Sequence, residues 1–157
     1  MTDPATVRDA PPLATDYRIQ AQALLSQDAG VATYSIGWLL NAIREGIAMT
    51  TVTRVGQRYQ LSDALFASLL QVSTSTIKRR RNQQGRLASD ESDRFVRLAG
   101  LYAMAEGVLG SPAQATEWMA QSNRSLGGES PNDYAVTDTG AREVEDLLGR
   151  IAHGIAA

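Results

Sequence analysis

The chain has 157 residues, 43% hydrophobic and 20% charged, with a formal net charge of −2, a composition that supports one ordinary globular domain or two small ones and not a disordered segment. It has no cysteine and one histidine, His153, four residues from the end, which excludes disulfides, thiolate metal sites and cysteine nucleophiles and leaves no frame for a histidine-based site. No run approaches the ~18–20 apolar residues of a membrane span, and the acidic, proline-bearing start lacks the basic and apolar regions of a secretory signal, so residence in the cytoplasm without membrane contact is expected.

Taken in chain order, residues 1–33 read as a mobile arm. Within it, residues 16–25 can form a short helix with Ile19, Ala23 and Leu24 on one side, expected to order only on assembly. Ser35 caps a predicted helix from Ile36 to Glu45 that stops at Gly46. Ile36, Leu39, Leu40, Ile43 and Ile47 give it the spacing of one buried face. Thr50 or Thr51 is expected to cap a helix carrying Val52, Val55 and Tyr59. Ser62 caps Asp63 to Leu70, and Ser73 caps a helix through Thr76, Ile77 and Arg81.

A polar loop over 82–88 leads to the longest predicted helix, Asp90 to Leu109, with Phe95, Leu98, Ala99, Tyr102 and Ala105 at helical spacing. Ser111-Pro112 and Ser130-Pro131 each place a cap before a proline at the first helical position. Between them, Gly127-Gly128 suits a turn of positive φ; it lacks the lysine and spacing of a phosphate loop. Trp118 is expected in the core, with Met104 and Met119 filling gaps. A last helix beginning at 137–140 carries Val144, Leu147, Leu148 and Ile151 as one stripe. No period-2 pattern appears, so the fold class is all-α.

Residues 63–82 fit the roughly 20-residue helix-turn-helix frame. Ala67 falls where the helices approach, and Phe66, Leu70, Val72 and Ile77 take buried positions. Ser73, Thr74, Ser75 and Thr76 place short hydroxyls near a helix N-terminus, and Lys78, Arg79, Arg80 and Arg81 follow as cations for phosphates or guanines. Two positions depart from the usual pattern: Gln71 stands at the turn where glycine is common, and Arg80 at a late apolar position. Charge follows this segment, with a net +5 over 51–100 against −2 over 1–50 and −5 over 101–157. A basic middle between acidic ends suggests two partners of different kinds; the same run also suits a solvated basic face. Binding to operator DNA would require a homodimer reading two half-sites.

The C-terminal half carries a more specific pattern. Trp118, Asn123, Leu126-Gly127-Gly128-Glu129-Ser130-Pro131, Thr137, Gly140-Ala141-Arg142-Glu143-Val144 and Leu147-Leu148-Gly149-Arg150-Ile151 with Gly154 resemble the C-terminal toxin-binding domain of the Xre/MbcA/ParS antitoxins. The resemblance extends back to about Leu61, where the helix-turn-helix resembles the Xre-type module that precedes this domain. Residues 132–136 depart from it, having fewer leucines than is usual there.

Together with the element pattern, this resemblance divides the chain into the mobile arm over 1–33, an Xre-like helix-turn-helix bundle over 34–88 and a small helical toxin-binding domain over 89–157. The resemblance implies a RES-domain toxin that consumes NAD⁺, whose active-site entrance the antitoxin's C-terminal segment covers. It also implies repression of the operon and antitoxin dimers bridging toxin copies in a larger hetero-oligomer. The residues expected to meet the toxin are Arg142, Leu147, Arg150, Ile151, His153, Gly154 and Ile155. Arg150 either engages the toxin or caps the final helix carbonyls.

Two other classes remain at this level. A stand-alone transcriptional repressor with a ligand-binding C-terminal domain shares the DNA contact but needs no toxin. An enzyme is not expected, because no motif pairs a nucleophile with a base and Glu143, Glu145 and Asp146 lie on an exposed face. No cofactor and no metal are expected.

Overall fold

The computed structural model describes residues 16–27 and 35–155, and among these the secondary structure is helical, with one isolated β-bridge. The helices are α1 (Tyr17–Leu25), α2 (Ile36–Glu45), α3 (Met49–Tyr59), α4 (Asp63–Leu70), α5 (Thr74–Asn82), α6 (Ser89–Leu109), α7 (Pro112–Ala120), α8 (Pro131–Tyr134) and α9 (Asp138–Ala152), with a 3-10 turn at Arg124–Leu126. The all-α expectation holds.

The local signals work as capping chemistry. Hydroxyls of Ser62, Ser73, Ser111, Ser130 and Thr137 accept from the backbone N–H groups of Leu65, Thr76, Gln114, Asp133 and Gly140 at 3.0–3.2 Å, satisfying donors that a helix start leaves free. Pro112 and Pro131 follow their caps. Gly127 and Gly128 have φ of 69° and 92°, the left-handed region where a side chain is strained. Neither Thr50 nor Thr51 caps α3. That helix starts earlier, at Met49, whose N–H donates to the Gly85 carbonyl while the Leu87 N–H donates to Ile47, both at 2.9 Å. This small antiparallel bridge closes the corner without a side chain.

α6 is the axis. Phe95, Leu98, Ala99, Tyr102 and Ala105 are buried as expected, but so are Val96, Gly100, Leu101 and Met104, because α1, α2, α3, α4, α7 and α9 pack around it. A helix covered on nearly all sides loses its amphipathic signature. One continuous cluster of buried side chains runs from Tyr17 through Phe66 and Tyr102 to Leu148, so α6 serves both halves of the chain at once.

Within the stretch expected as a mobile arm, residues 17–25 form a packed helix; residues 1–15 and 28–34 lie outside the described residues. Its buried face is Tyr17, Ala21, Leu24 and Leu25, and Ala23 is exposed. Gly100 explains the docking, since a Cβ there would stand 2.2 Å from the Tyr17 carbonyl oxygen. Arg54 of α3 donates to the Leu24 and Leu25 carbonyls, closing the other end of α1. On α2, Leu39 faces the core, as does Ile47 just beyond the Gly46 stop, whereas Ile36 and Leu40 are 45% and 42% exposed. The expected five-residue stripe is therefore split, because α2 meets α6 along one edge only.

Candidate nucleic-acid and partner interfaces

The helix-turn-helix is built from α4 and α5. Phe66, Ala67, Leu70 and Ile77 are buried beneath it and Val72 is half-buried. Gln71 takes the left-handed turn with φ 58° and ψ 43°, and the Val72 N–H donates to the Ala67 carbonyl at 2.9 Å. The turn thus keeps the conformation that glycine usually supplies. Ser73 caps α5, and its hydroxyl also shares hydrogen bonds with Ser75 and Thr76 at 3.0 and 2.8 Å. Ser75 is exposed while Thr74 and Thr76 are half-buried.

The four cations of α5 separate into two pairs. Arg81 makes a two-pronged contact with Asp63 at 2.9 and 2.6 Å and donates Nε to Thr53 at 3.2 Å. That hydrogen-bonded guanidinium holds the Asp63 carboxyl below the usual aspartate range. Arg80 pairs with Glu91 on α6, and the same carboxylate accepts from the Ala88 N–H at 2.8 Å. The ion pair thus fills the place where an apolar side chain was expected. Lys78 and Arg79 are exposed.

The same test applied across the basic middle is more selective than net charge. Arg54 caps α1, Arg58 pairs with Glu106, Arg86 donates to the Gly46 carbonyl, Arg94 to Leu70 and Asp90, and Arg97 to Asp93. Of the basic side chains over 51–100, only Lys78 and Arg79 have no hydrogen bond or ion pair among the described residues. Most of the nine basic side chains over 51–100 are therefore engaged in structural contacts, and the two that make no hydrogen bond or ion pair lie on α5.

The C-terminal half packs α7, α8 and α9 on α6. Gly140 is required there, because a Cβ would fall 1.7 Å from the Tyr134 carbonyl oxygen. Val144, Leu147 and Leu148 are fully buried and Ile151 is half-buried. Leu147, expected as a toxin contact, is therefore a core side chain. Arg142, Arg150, His153, Gly154 and Ile155 are exposed. Arg142 pairs with Asp138 at 3.2 Å, one helical turn away. The Arg150 guanidinium makes no hydrogen bond or ion pair among the described residues. The helix end closes through its backbone instead, with the Ile155 N–H donating to the Arg150 carbonyl at 3.0 Å and Gly154 at φ 64°.

A groove of about 350 Å³ lies on this outer face, lined by Glu145, Asp146, Gly149, Arg150, His153 and Ile155. Gly149 needs no close approach, since a Cβ there would meet nothing within 4 Å. Glu145 is half-buried and accepts from the Tyr17 N–H at 2.6 Å, and burial pushes its carboxyl up. Across the middle, the Tyr59 and Tyr102 rings lie 5.0 Å apart. Tyr59 donates to Glu106 at 2.8 Å and Tyr102 to Asn132 at 3.0 Å, so polar contacts cross from α3 through α6 to α8. Burial pushes the Tyr102 phenol up to about 12. No cluster of three or more metal-ligating side chains occurs among the described residues.

No local pattern signals the partners Asp63 and Glu91, or the Glu145 contact with α1. The first two are fixed by the packing of consecutive helices, 18 and 11 residues apart, and the third by the packing of α1 on α9, 128 residues apart.

A helix-turn-helix with two exposed cations on its second helix, fused through one core to a helical domain with an open outer groove, defines a class of two-part regulatory proteins. Residues 39–100 match the antitoxin Xre-like helix-turn-helix domain, and residues 104–154 match the antitoxin Xre/MbcA/ParS C-terminal toxin-binding domain. Antitoxin Xre of Pseudomonas putida KT2440 is 30% identical over 139 residues, covering 88% of this chain and 84% of that protein. Antitoxin Xre of Yersinia enterocolitica is 29% identical over 118 residues, covering 74% and 80%, and that of Photorhabdus laumondii is 30% identical over 125 residues, covering 78% and 84%. The chain belongs to the Xre/MbcA/ParS family of antitoxins. Residues 1–38, including α1, lie outside both matched domains.

Proposed function

We propose that this chain neutralises a RES-domain toxin that degrades NAD⁺, by laying its C-terminal segment over the toxin's active-site entrance, and that it represses its own operon through α4 and α5. The observation that carries the reading is the match of residues 104–154 to a toxin-binding domain, whose last helix presents an open groove on its outer face. The toxin contacts are Arg142, Arg150, His153, Gly154 and Ile155, with Ile151 at the edge. Leu147 shapes the surface from beneath. Arg150, paired with no carboxylate among the described residues, suits a pocket built for a pyrophosphate-bearing substrate, whose polar walls accept a guanidinium.

On the DNA side, the hydroxyls of Ser73, Thr74, Ser75 and Thr76 and the cations Lys78 and Arg79 supply the first contacts. A single module of this kind binds weakly, so the active species is a homodimer on two half-sites, joined with toxin in a larger hetero-oligomer in the cytoplasm. The chain itself has no catalytic part in this scheme.

Deletion of residues 151–157 tests the toxin arm. The truncated chain is expected to keep its DNA binding and to lose protection of cells that express the toxin encoded beside it. Growth rescue by the truncated form would overturn the proposal. Co-purification with the neighbouring gene product, followed by an NAD⁺ depletion assay of the released partner, tests the toxin's identity separately.

A further inference from the structure

Compensation of charge sorts the residues of α5 by task. Ser75, Lys78, Arg79 and Asn82 fall at i, i+3, i+4 and i+7, the spacing of one helix face, and all four are exposed, while Ile77 is buried on the other side. The Asn82 carboxamide makes no hydrogen bond among the described residues. Each acid bordering this helix is already held by an arginine: Asp63 by Arg81, Asp90 by Arg94 and Glu91 by Arg80. The face that remains carries two cations and one carboxamide that make no hydrogen bond or ion pair among the described residues, and the face itself bears no acid. Lys78 lies near enough to Asp63 to add to Arg81 in holding its carboxyl low.

Resting on the operator-binding reading above, we propose that Asn82 reads a base on the face it shares with Lys78 and Arg79. Arg80 and Arg81 are then positioning residues that fasten α5 to α6 and α4 without touching DNA. A carboxamide offers one donor and one acceptor side by side, the pattern that pairs with adenine N6 and N7 in the major groove. Arg79 offers a planar fork for guanine or phosphate, and Lys78 a point charge for phosphate. From Ser75 to Asn82 the helix advances about 10 Å, roughly three base-pair steps, so one face can follow one short stretch of groove. The Arg81 guanidinium already spends three of its N–H groups on Asp63 and Thr53.

The test measures anisotropy of full-length chain on a labelled duplex copied from the DNA immediately upstream of its own reading frame. A scrambled duplex, a series of single base-pair changes and a salt titration accompany it. Lys78→Ala and Arg79→Ala are each expected to flatten the dependence of log affinity on log salt by about 0.9 per half-site. Asn82→Ala is expected to lose about tenfold in affinity and to stop discriminating at one A·T pair. Arg81→Ala is expected to weaken binding with the salt slope unchanged, and the charge exchange Asp63→Arg with Arg81→Asp to restore it, because the strut is rebuilt with the arginine on the other helix.

A salt slope that falls by about one in Arg81→Ala and is not restored by the exchange would overturn the positioning role. Unchanged base discrimination in Asn82→Ala would overturn the reading role. Should the folded wild-type chain, alone and with its toxin, bind upstream and scrambled duplexes alike, the operator-binding reading itself fails and the inference falls with it.

Discussion

The backbone N–H of Tyr17 donates to Glu145 Oε1 across 2.6 Å, fastening the first residue of α1 to the middle of α9. The contact supplies an acceptor to a helix start that would otherwise leave the donor free, and it places a carboxylate at the positive end of α1. Gly100 brings the Tyr17 carbonyl side against α6. The segment that precedes both matched domains therefore braces the helix that carries the outer groove.

Glu145 should show itself in the dependence of stability on pH. Burial raises its carboxyl in the folded state, so folding favours the protonated form. The contribution is fully present below the unfolded-state value and is lost as pH rises through the folded value. Glu145→Gln keeps an acceptor and removes the titration, and urea midpoints from pH 4 to 8 are expected to fall less with rising pH in that variant. Glu145→Ala orphans the Tyr17 N–H and is expected to cost about 1 kcal/mol. Parallel pH curves for wild type and Glu145→Gln would refute the account.

Asp63 works in the opposite sense. Arg81 holds its carboxyl low, so its contribution is present above the ordinary aspartate value and disappears as pH falls through the lowered one. Both partners are about a quarter to a third exposed, which limits the pair to about 1 kcal/mol even with two-pronged geometry. Asp63→Asn is expected to lower the thermal midpoint at pH 7 and to lower it less at pH 3, below the ordinary aspartate value. Equal losses at both pH values would show that the ion pair contributes nothing.

Three glycines in helices are expected to respond differently to alanine. At Gly149 the added methyl meets nothing, so the helix gains about 0.5–1 kcal/mol. At Gly140 it would sit 1.7 Å from Tyr134 oxygen, and at Gly100 it would sit 2.2 Å from Tyr17 oxygen. Displaced backbone there is expected to cost about 1–3 kcal/mol or more. Chemical denaturation of the three variants checks the order. If the toxin covers the groove as proposed, Gly149→Ala binds it more weakly although the free chain is more stable.

What the sequence shows and what it hides follows from the range of each interaction. Ser62, Ser73, Ser111, Ser130 and Thr137 act within three residues, so their caps are legible, as are Pro112 and Pro131. The Val144, Leu147 and Leu148 stripe is legible because α9 has one wet face; the same pattern could not say that Leu147 lies too deep to reach a partner. The α1 face escaped because it is chosen by Gly100, far along the chain, and α6 hides its pattern by being covered all round. On α5 the basic run was visible, but which arginines are free depends on Asp63 and Glu91, whose approach is set by packing. Ile36 and Leu40 carry a core-like spacing and yet face outward, since periodicity gives a stripe and not the element that covers it.

The turn between α4 and α5 offers the last test. Gln71 stands at φ 58°, a conformation that is harder for a residue with a Cβ by about 1–2 kcal/mol. Glycine removes that strain but widens the unfolded ensemble, at about 0.4–1 kcal/mol, so Gln71→Gly is expected to gain about 0.5–1 kcal/mol with no change in DNA affinity. The exposed Gln71 side chain makes no hydrogen bond among the described residues, so nothing is lost with it. Gln71→Val, branched at Cβ, should destabilise instead. Urea midpoints for both variants decide the matter: a loss in Gln71→Gly would mean that the glutamine side chain holds the turn, and the left-handed backbone would then carry no recoverable strain.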